Sequence, residues 1–346
     1  MAKTKDRAMR KDVKAGLVIG DDSLVAQSLD NLGTNRVFLG RYESADSLLR
    51  DGLAMRERLF GGHHLAVAGS QNNLASFLMR TGKLEEAESL FRQSLATRRD
   101  IQGEHLDLAT VMNNLAMTLQ REDKFDEAEP LLRDVLALSM RLLGDQHPEV
   151  ARAQNNLAVF LWRRGRNAEA DSLLVQALAI NRAVLGDENP EVSSNLHNLA
   201  LVKRDQGSDG EAETLFRESL AIDRKTLGDE HPDIAYGLNN LGSVLVKEQR
   251  YDEAAATFQQ AEHILAAKFG DDSWQAATSR SLLADVLIDE GRYREAEPLA
   301  VGSYSIILGV YGADHGRTRA ARDRVIRVYE ALGDSAKVRE YRSGGR

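Results

Sequence analysis

The sequence predicts an all-α chain assembled as a linear array of helix pairs, and three registers carry that prediction. The triplet Asn72-Asn73-Leu74 returns as Asn113-Asn114-Leu115, Asn155-Asn156-Leu157, His197-Asn198-Leu199 and Asn239-Asn240-Leu241, with weaker copies Asp30-Asn31-Leu32 and Ser281-Leu282-Leu283. The leucine-to-leucine steps are 42, 41, 42, 42, 42 and 42 residues. An alanine stands 13 residues after each leucine (Ala45, Ala87, Ala128, Ala170, Ala212, Ala254 and Ala296), and a glycine-aspartate pair recurs at Gly144, Gly186, Gly228 and Gly270. A fixed period of this length, kept over seven copies, is the signature of a repeat array.

Taken in order, residues 1–21 form a basic N-terminal segment in which residues 5–19 align with the second helix of a unit, Ile19-Gly20 matching Phe60-Gly61. A capping helix is expected there. Residues 22–316 hold about seven units. In the second copy Val67, Leu74, Ala75 and Leu78 fall on one face of a helix, which Thr81-Gly82-Lys83 interrupts. A second helix follows with Leu84, Ala87, Phe91, Ser94 and Leu95 inward, and it stops near Gly103, where glycine suits a left-handed residue after the helix. The next first helices open with His147-Pro148, Asn189-Pro190 and His231-Pro232: proline fits the first turn, and the polar residue before it can cap. Residues 317–346 read as a degraded eighth copy with Val325, Tyr329 and Val338 in core positions, five arginines from Arg317 to Arg327, and a disordered tail from Ser343.

Small residues explain how such pairs would pack. Ala75, Ala116, Ala158, Ala200 and Gly242, with the alanine series, sit where two helices must approach closely. One pair cannot bury its own apolar face, whereas stacked neighbours can, which gives a solenoid with a continuous core.

Composition narrows the function classes. The chain has 346 residues, no cysteine and a formal net charge of -8, which removes disulfides and thiolate sites and argues against bulk nucleic-acid binding. No apolar run approaches the ~18 residues that span a bilayer, and Ala15–Gly20 is too short for a signal-peptide core. A cytoplasmic chain without membrane contact is expected.

The internal spacing, Leu74-Ala75-x-x-Leu78 followed by Ala87-x-x-x-Phe91, with Ala212/Phe216 and Ala254/Phe258, resembles the tetratricopeptide repeat. The 42-residue period is similar to that of kinesin light chains, most visibly in NNLAMTLQREDKFDEAEPLLRDVLAL from Asn113 and LNNLGSVLVKEQRYDEAAATFQQA from Leu238. The likeness covers roughly residues 22–316. It departs at Leu132, Leu174 and Ala300, where the signature aromatic is missing, and no heptad segment of the kind that binds a motor heavy chain precedes the repeats. It implies a right-handed superhelical solenoid of antiparallel helix pairs whose first helices line a concave groove.

The resemblance places the groove stripe five residues before, one before, two after and six after each repeat leucine. Asn73, Asn114, Asn156, Asn198 and Asn240 fill the second position. An asparagine side chain both donates and accepts, so such a ladder can pair with the backbone of an extended peptide; it can equally bond to neighbouring helices and hold register. The series Asn72, Asn113, Asn155 and Asn239 is expected to face the next helix. Arg80, Arg121, Arg152 and Arg163 add guanidiniums suited to an acidic peptide or a C-terminal carboxylate, against the plainer reading that they pair with nearby glutamates. Asp205, Asp285 and Asp289 fall on the stripe of later copies.

Catalysis has little support. There is no GxxxxGK loop, no GxGxxG after a strand and no HExxH. The loop histidines His63, His64, His105, His147, His231 and His315 recur at helix starts, which capping explains, so neither a metal nor a cofactor is expected. The reading is a non-enzymatic interaction scaffold for a protein or peptide partner, monomeric or self-associating. The alternatives are a regulatory peptide receptor that changes curvature on binding and a self-associating structural array.

Overall fold

The computed structural model of the chain describes residues 22–344. The expected capping helix at residues 5–19 lies outside the described residues, as do residues 345 and 346 of the expected tail. Ser343 and Gly344 close a turn, Ser343 N–H bonding to the carbonyl of Arg339 at 3.0 Å. Among the described residues there are sixteen α-helices and no strand.

The chain divides into two units, Met1–Phe160 and Leu161–Arg346. The first holds α1 (Asp22–Phe38), α2 (Tyr42–Phe60), α3 (Leu65–Arg80), α4 (Leu84–Gln102), α5 (Leu106–Arg121), α6 (Phe125–Leu143) and most of α7 (Pro148–Arg163). From the end of α7, the second holds α8 (Asn167–Leu185), α9 (Pro190–Asp205), α10 (Asp209–Leu227), α11 (Pro232–Lys247), α12 (Tyr251–Phe269), α13 (Trp274–Asp289), α14 (Tyr293–Tyr311), α15 (Gly316–Leu332) and the short α16 (Ser335–Arg342). Helices alternate between a first type, mostly of 16 residues, and a second type of 19 residues.

First helices begin where the polar residue before them accepts a backbone N–H. The Nδ1 atoms of His64, His105, His147, His231 and His315 accept from Ala66, Asp107, Glu149, Asp233 and Arg317 at 3.1–3.2 Å. Asn189 does the same for Glu191 at 2.8 Å, and Ser273 for Ala276 at 3.3 Å. Each cap satisfies one of the otherwise orphaned amides of the first turn.

Two turn types join the helices. Within a pair, the first residue after the turn bonds back five residues, as in Lys83 N–H to Leu78 O at 2.9 Å and Arg250 N–H to Leu245 O at 2.9 Å, the Schellman closure. Between pairs, the glycine after the second helix departs from the left-handed helical geometry that the sequence suggests: Gly144 has φ 79° and ψ 162°. That region is open essentially to glycine alone and swings the chain out of the helix towards the next cap.

The alanine series from Ala45 to Ala296 is fully buried. Phe91, Phe216 and Phe258 fill the space beside it, and Leu132, Leu174 and Ala300 take that place, also buried, in copies without the aromatic. Helices approach closely at Gly242, where an added Cβ would lie 2.6 Å from the ring of Phe258.

Charged pairs tie successive repeats together. In the first unit the carboxylate of Asp30, 1% exposed, meets Arg56 at 2.7 Å and accepts from Ser70 at 2.6 Å, while Arg56 also bonds to Ala66 O and Gln27. Along the second helices Glu88 meets Arg92 at 2.7 Å and Lys124 at 2.6 Å, and Arg92 reaches Glu127. Burial raises the Glu88 carboxyl, but its bonds to Lys124, Arg92 and Glu122 outweigh it and bring the group down to about 2. The second unit repeats the motif with Glu213, Arg217, Arg250 and Glu253. The C-terminal copy buries Val325, Tyr329 and Val338.

Candidate functional site

The asparagines of the stripe, Asn73, Asn114, Asn156, Asn198 and Asn240, are half-buried on their first helices. The amides of Asn114, Asn156 and Asn240 reach back one repeat. Asn114 Nδ2 donates to Asn72 Oδ1 at 3.3 Å, and Asn156 Nδ2 to Asn113 Oδ1 at 3.5 Å. In the second unit Asn240 Nδ2 lies 3.3 Å from Nε2 of His197, which occupies the position of Asn72 and Asn113. The amide of Asn239 instead points forward, to Ser279 Oγ at 2.9 Å. Asn114, Asn156 and Asn240 therefore each spend one donor on register. An asparagine has two amide protons and a carbonyl oxygen, so a rung that donates once keeps further capacity.

The basic residues divide by their local partners. Arg121 donates to the carbonyl of Met79 at the C-terminal end of the preceding first helix. Lys247, six residues after its repeat leucine like Arg121, makes the same contact with Arg204 O at 3.2 Å and adds Asp209 at 3.1 Å. Arg152 pairs with Glu149 within its own helix, Nε to Oε2 at 3.0 Å. Arg80 and Arg163 are exposed at the ends of α3 and α7. Sequence reasoning missed the carbonyl-capping role, although the recurrence of a cation six residues after the leucine was its signal.

The stripe acids of the second unit are largely used by the chain itself. Asp285 meets Arg324 at 2.5 Å and Arg327 at 3.1 Å, and Arg327 also meets Asp289 at 2.5 Å. Two of the five arginines of the eighth copy thus neutralise the face on which that copy stacks. Asp205 accepts from the indole of Trp162 at 2.8 Å and pairs with Arg204 at 2.9 Å.

A cleft of about 420 Å³ opens in the second unit among α9, the end of α10 and the start of α11, with His197, Asn198, Asp223, Asp233 and Tyr236 in its walls. Burial depresses the His197 imidazole, Asp223 and Asp233 counter this, and Arg204 reinforces it. Asn240 links His197 to Arg204, with Arg204 donating to its Oδ1 at 3.5 Å and its Nδ2 lying 3.3 Å from Nε2 of His197. No group of His, Asp or Glu with metal-holding geometry occurs among the described residues, and no described helix is long and apolar enough to cross a membrane.

Comparison with known proteins agrees with this geometry. Tetratricopeptide-repeat family models match residues 66–141, 107–183, 149–225 and 191–267, and related models match 25–66 and 277–300. No curated protein sequence gives a significant match. Among solved structures, a putative kinesin light chain from Podosopora anserina with nearly identical TPR-like repeats is 28% identical, with a TM-score of 0.53, over 60% of this chain and 99% of that one. BtubC (BKLC) from P. vanneervenii is 24% identical, with a TM-score of 0.57, over 67% of this chain and 92% of that one. The apo form of the quorum sensor NprR from B. thuringiensis, 12% identical, shares the fold over 99% of this chain and 92% of its own, with a TM-score of 0.69. The model matches span more than half of the chain, and the chain belongs to the tetratricopeptide-repeat family, with repeats like those of kinesin light chains.

Proposed function

We propose that this protein is a non-enzymatic scaffold that holds a peptide segment of a protein partner against its first helices. The observation that carries the reading is the asparagine ladder. Asn114 and Asn156 each commit one amide proton to the preceding repeat and remain half-buried rather than sealed. The remaining carbonyl and amide-proton capacity of Asn114 and Asn156 suits the backbone of an extended chain, whose donors and acceptors repeat regularly whatever its sequence. Asn73, Asn198 and Asn240 occupy the equivalent place on their helices.

The segment bound along the first helices of the early copies is acidic in this reading. Arg80 and Arg163 make no ion pair among the described residues, and Arg121 retains donors beyond the one given to Met79. A guanidinium carries five donors in a planar fork that fits a carboxylate, so one carbonyl contact positions it without exhausting it. Arg152, already paired with Glu149, is the weakest member.

The test is retention on an immobilised library of acidic and neutral decapeptides. Changing Arg121 and Arg163 together to Glu should abolish retention on the acidic set while far-ultraviolet circular dichroism stays unchanged. Equal retention by both proteins would remove the acidic assignment.

A further inference from the structure

At two steps of the array a polar pair joins a second helix to the next first helix. In both, the fifteenth residue of the second helix meets the sixth residue of the next first helix, fourteen positions later in sequence. Between α2 and α3, Arg56 donates to Ser70 at 2.9 Å. Between α8 and α9, Asn181 donates to Asn195 at 2.7 Å. Between α10 and α11 the same two places hold Asp223 and Gly237, and glycine offers no side chain. A Cβ on Gly237 would lie 2.8 Å from Leu220 Cδ2, so a side chain there would have to displace Leu220.

Asp223 is therefore left half-buried in the wall of the 420 Å³ cleft, with no ion pair to any described residue. Other acids of second helices, Glu88, Glu213, Glu218 and Glu253 among them, meet basic partners. Across the cleft stands Tyr236, 38% exposed, with its ring available. Asp233 adds a second carboxylate, 3.6 Å from the capping nitrogen of His231. Ser194 and Asn198 supply neutral polar groups. Arg317, whose charge reaches Tyr236, is itself held over Trp274 at 4.8 Å and over Tyr311 at 5.4 Å, with a bond to Tyr311 Oη.

We infer that this cleft is a receptor for one cationic side chain, lysine or arginine, of the bound peptide, with Asp223 as its counter-ion and the Tyr236 ring against its stem and charge. A long basic side chain fits because its apolar stem and charged head need different walls, and the cleft supplies both. The His197 imidazole, held towards its neutral form by burial, adds no positive charge that would repel a cationic side chain. The inference rests on the reading of the chain as a peptide receptor and adds a side-chain preference confined to the second unit.

The experiment uses the full chain and immobilised decapeptides of random sequence with one fixed central residue: Lys, Arg, norleucine or Glu. Ionic strength is held near ~0.15 M so that the net negative charge of the chain does not act at long range. The wild type should be retained about tenfold more strongly by the Lys and Arg sets than by the norleucine set. Asp223→Asn, which preserves shape, should bring that ratio close to one and leave norleucine retention unchanged; Tyr236→Ala should lower it partly. The pair Arg121→Glu and Arg163→Glu should leave the ratio intact while losing the Glu set, which separates failure of the acidic reading from failure of this one. A ratio near one in the wild type, or an undiminished ratio in Asp223→Asn, would overturn the inference. No retention on any set would overturn both readings.

Discussion

Asn114 donates its side-chain amide to Oδ1 of Asn72, one repeat earlier, at 3.3 Å. The bond joins equivalent faces of two first helices, so it fixes the translation of one repeat against the next. If it holds register, a double-mutant cycle on Asn72→Ala and Asn114→Ala followed by urea unfolding should give a coupling energy of about 0.5–1.5 kcal/mol. Additive losses would mean that the two amides do not work as a pair.

The Asp30–Arg56 pair should behave differently, because both side chains are nearly inaccessible to water. Removing one partner strands a buried charge. Arg56→Met alone should cost about 3–5 kcal/mol, and adding Asp30→Asn should restore a substantial part by removing the stranded carboxylate. A double variant as unstable as the single one would show that packing around Arg56, rather than charge pairing, dominates.

His197 makes stability depend on pH in a defined direction. Its imidazole is depressed below the ordinary histidine value by burial and by Arg204, against Asp223 and Asp233. The unfolded chain then binds the proton more readily than the folded one. The contribution is fully present above the ordinary imidazole range and is lost as pH falls below it. Between pH ~7.5 and pH ~5.5 the melting temperature of the wild type should fall more than that of His197→Asn, which installs the residue that most other copies carry. Parallel curves would contradict the assignment of that proton to His197.

Gly242 tests the close-packed seam. A methyl group there would lie 2.6–2.8 Å from two ring carbons of Phe258, a rigid group boxed in by the second unit's core. Gly242→Ala should destabilise by about 1–3 kcal/mol even though alanine favours the helix. Ala200, at the equivalent position one repeat earlier, marks the contrast: it is accommodated without exposure. A neutral or stabilising effect of Gly242→Ala would show that Phe258 can shift at little cost.

These particulars show how far the chain could be read from its letters. Helix pairing was legible because Leu74, Ala87 and their copies obey periods set by the geometry of one helix and one turn. The caps at His147, Asn189 and His231 were legible for the same reason, since a cap and its amide are two residues apart. The cradle of Asp30 by Arg56 and Ser70 was not, because its partners are spread over forty residues and the pair looks like two ordinary surface charges. The same holds for Asp285 and Asp289, which stand on the candidate stripe but are claimed by Arg324 and Arg327. The cleft at His197 was hidden more deeply, since its walls come from three helices, α9, α10 and α11. Among the candidate arginines, the local engagement of Arg121 and Arg152 depends on rotamers that spacing does not specify.

The most direct measurement is calorimetric affinity for one peptide recovered from the library, compared between the wild type and the variant carrying Asn114→Ala, Asn156→Ala and Asn198→Ala. Three lost backbone contacts of about 0.5–1.5 kcal/mol each should weaken binding by at least about tenfold while the helical spectrum is preserved. Binding of undiminished affinity by the folded triple variant would contradict the claim that the amide ladder holds the partner's backbone.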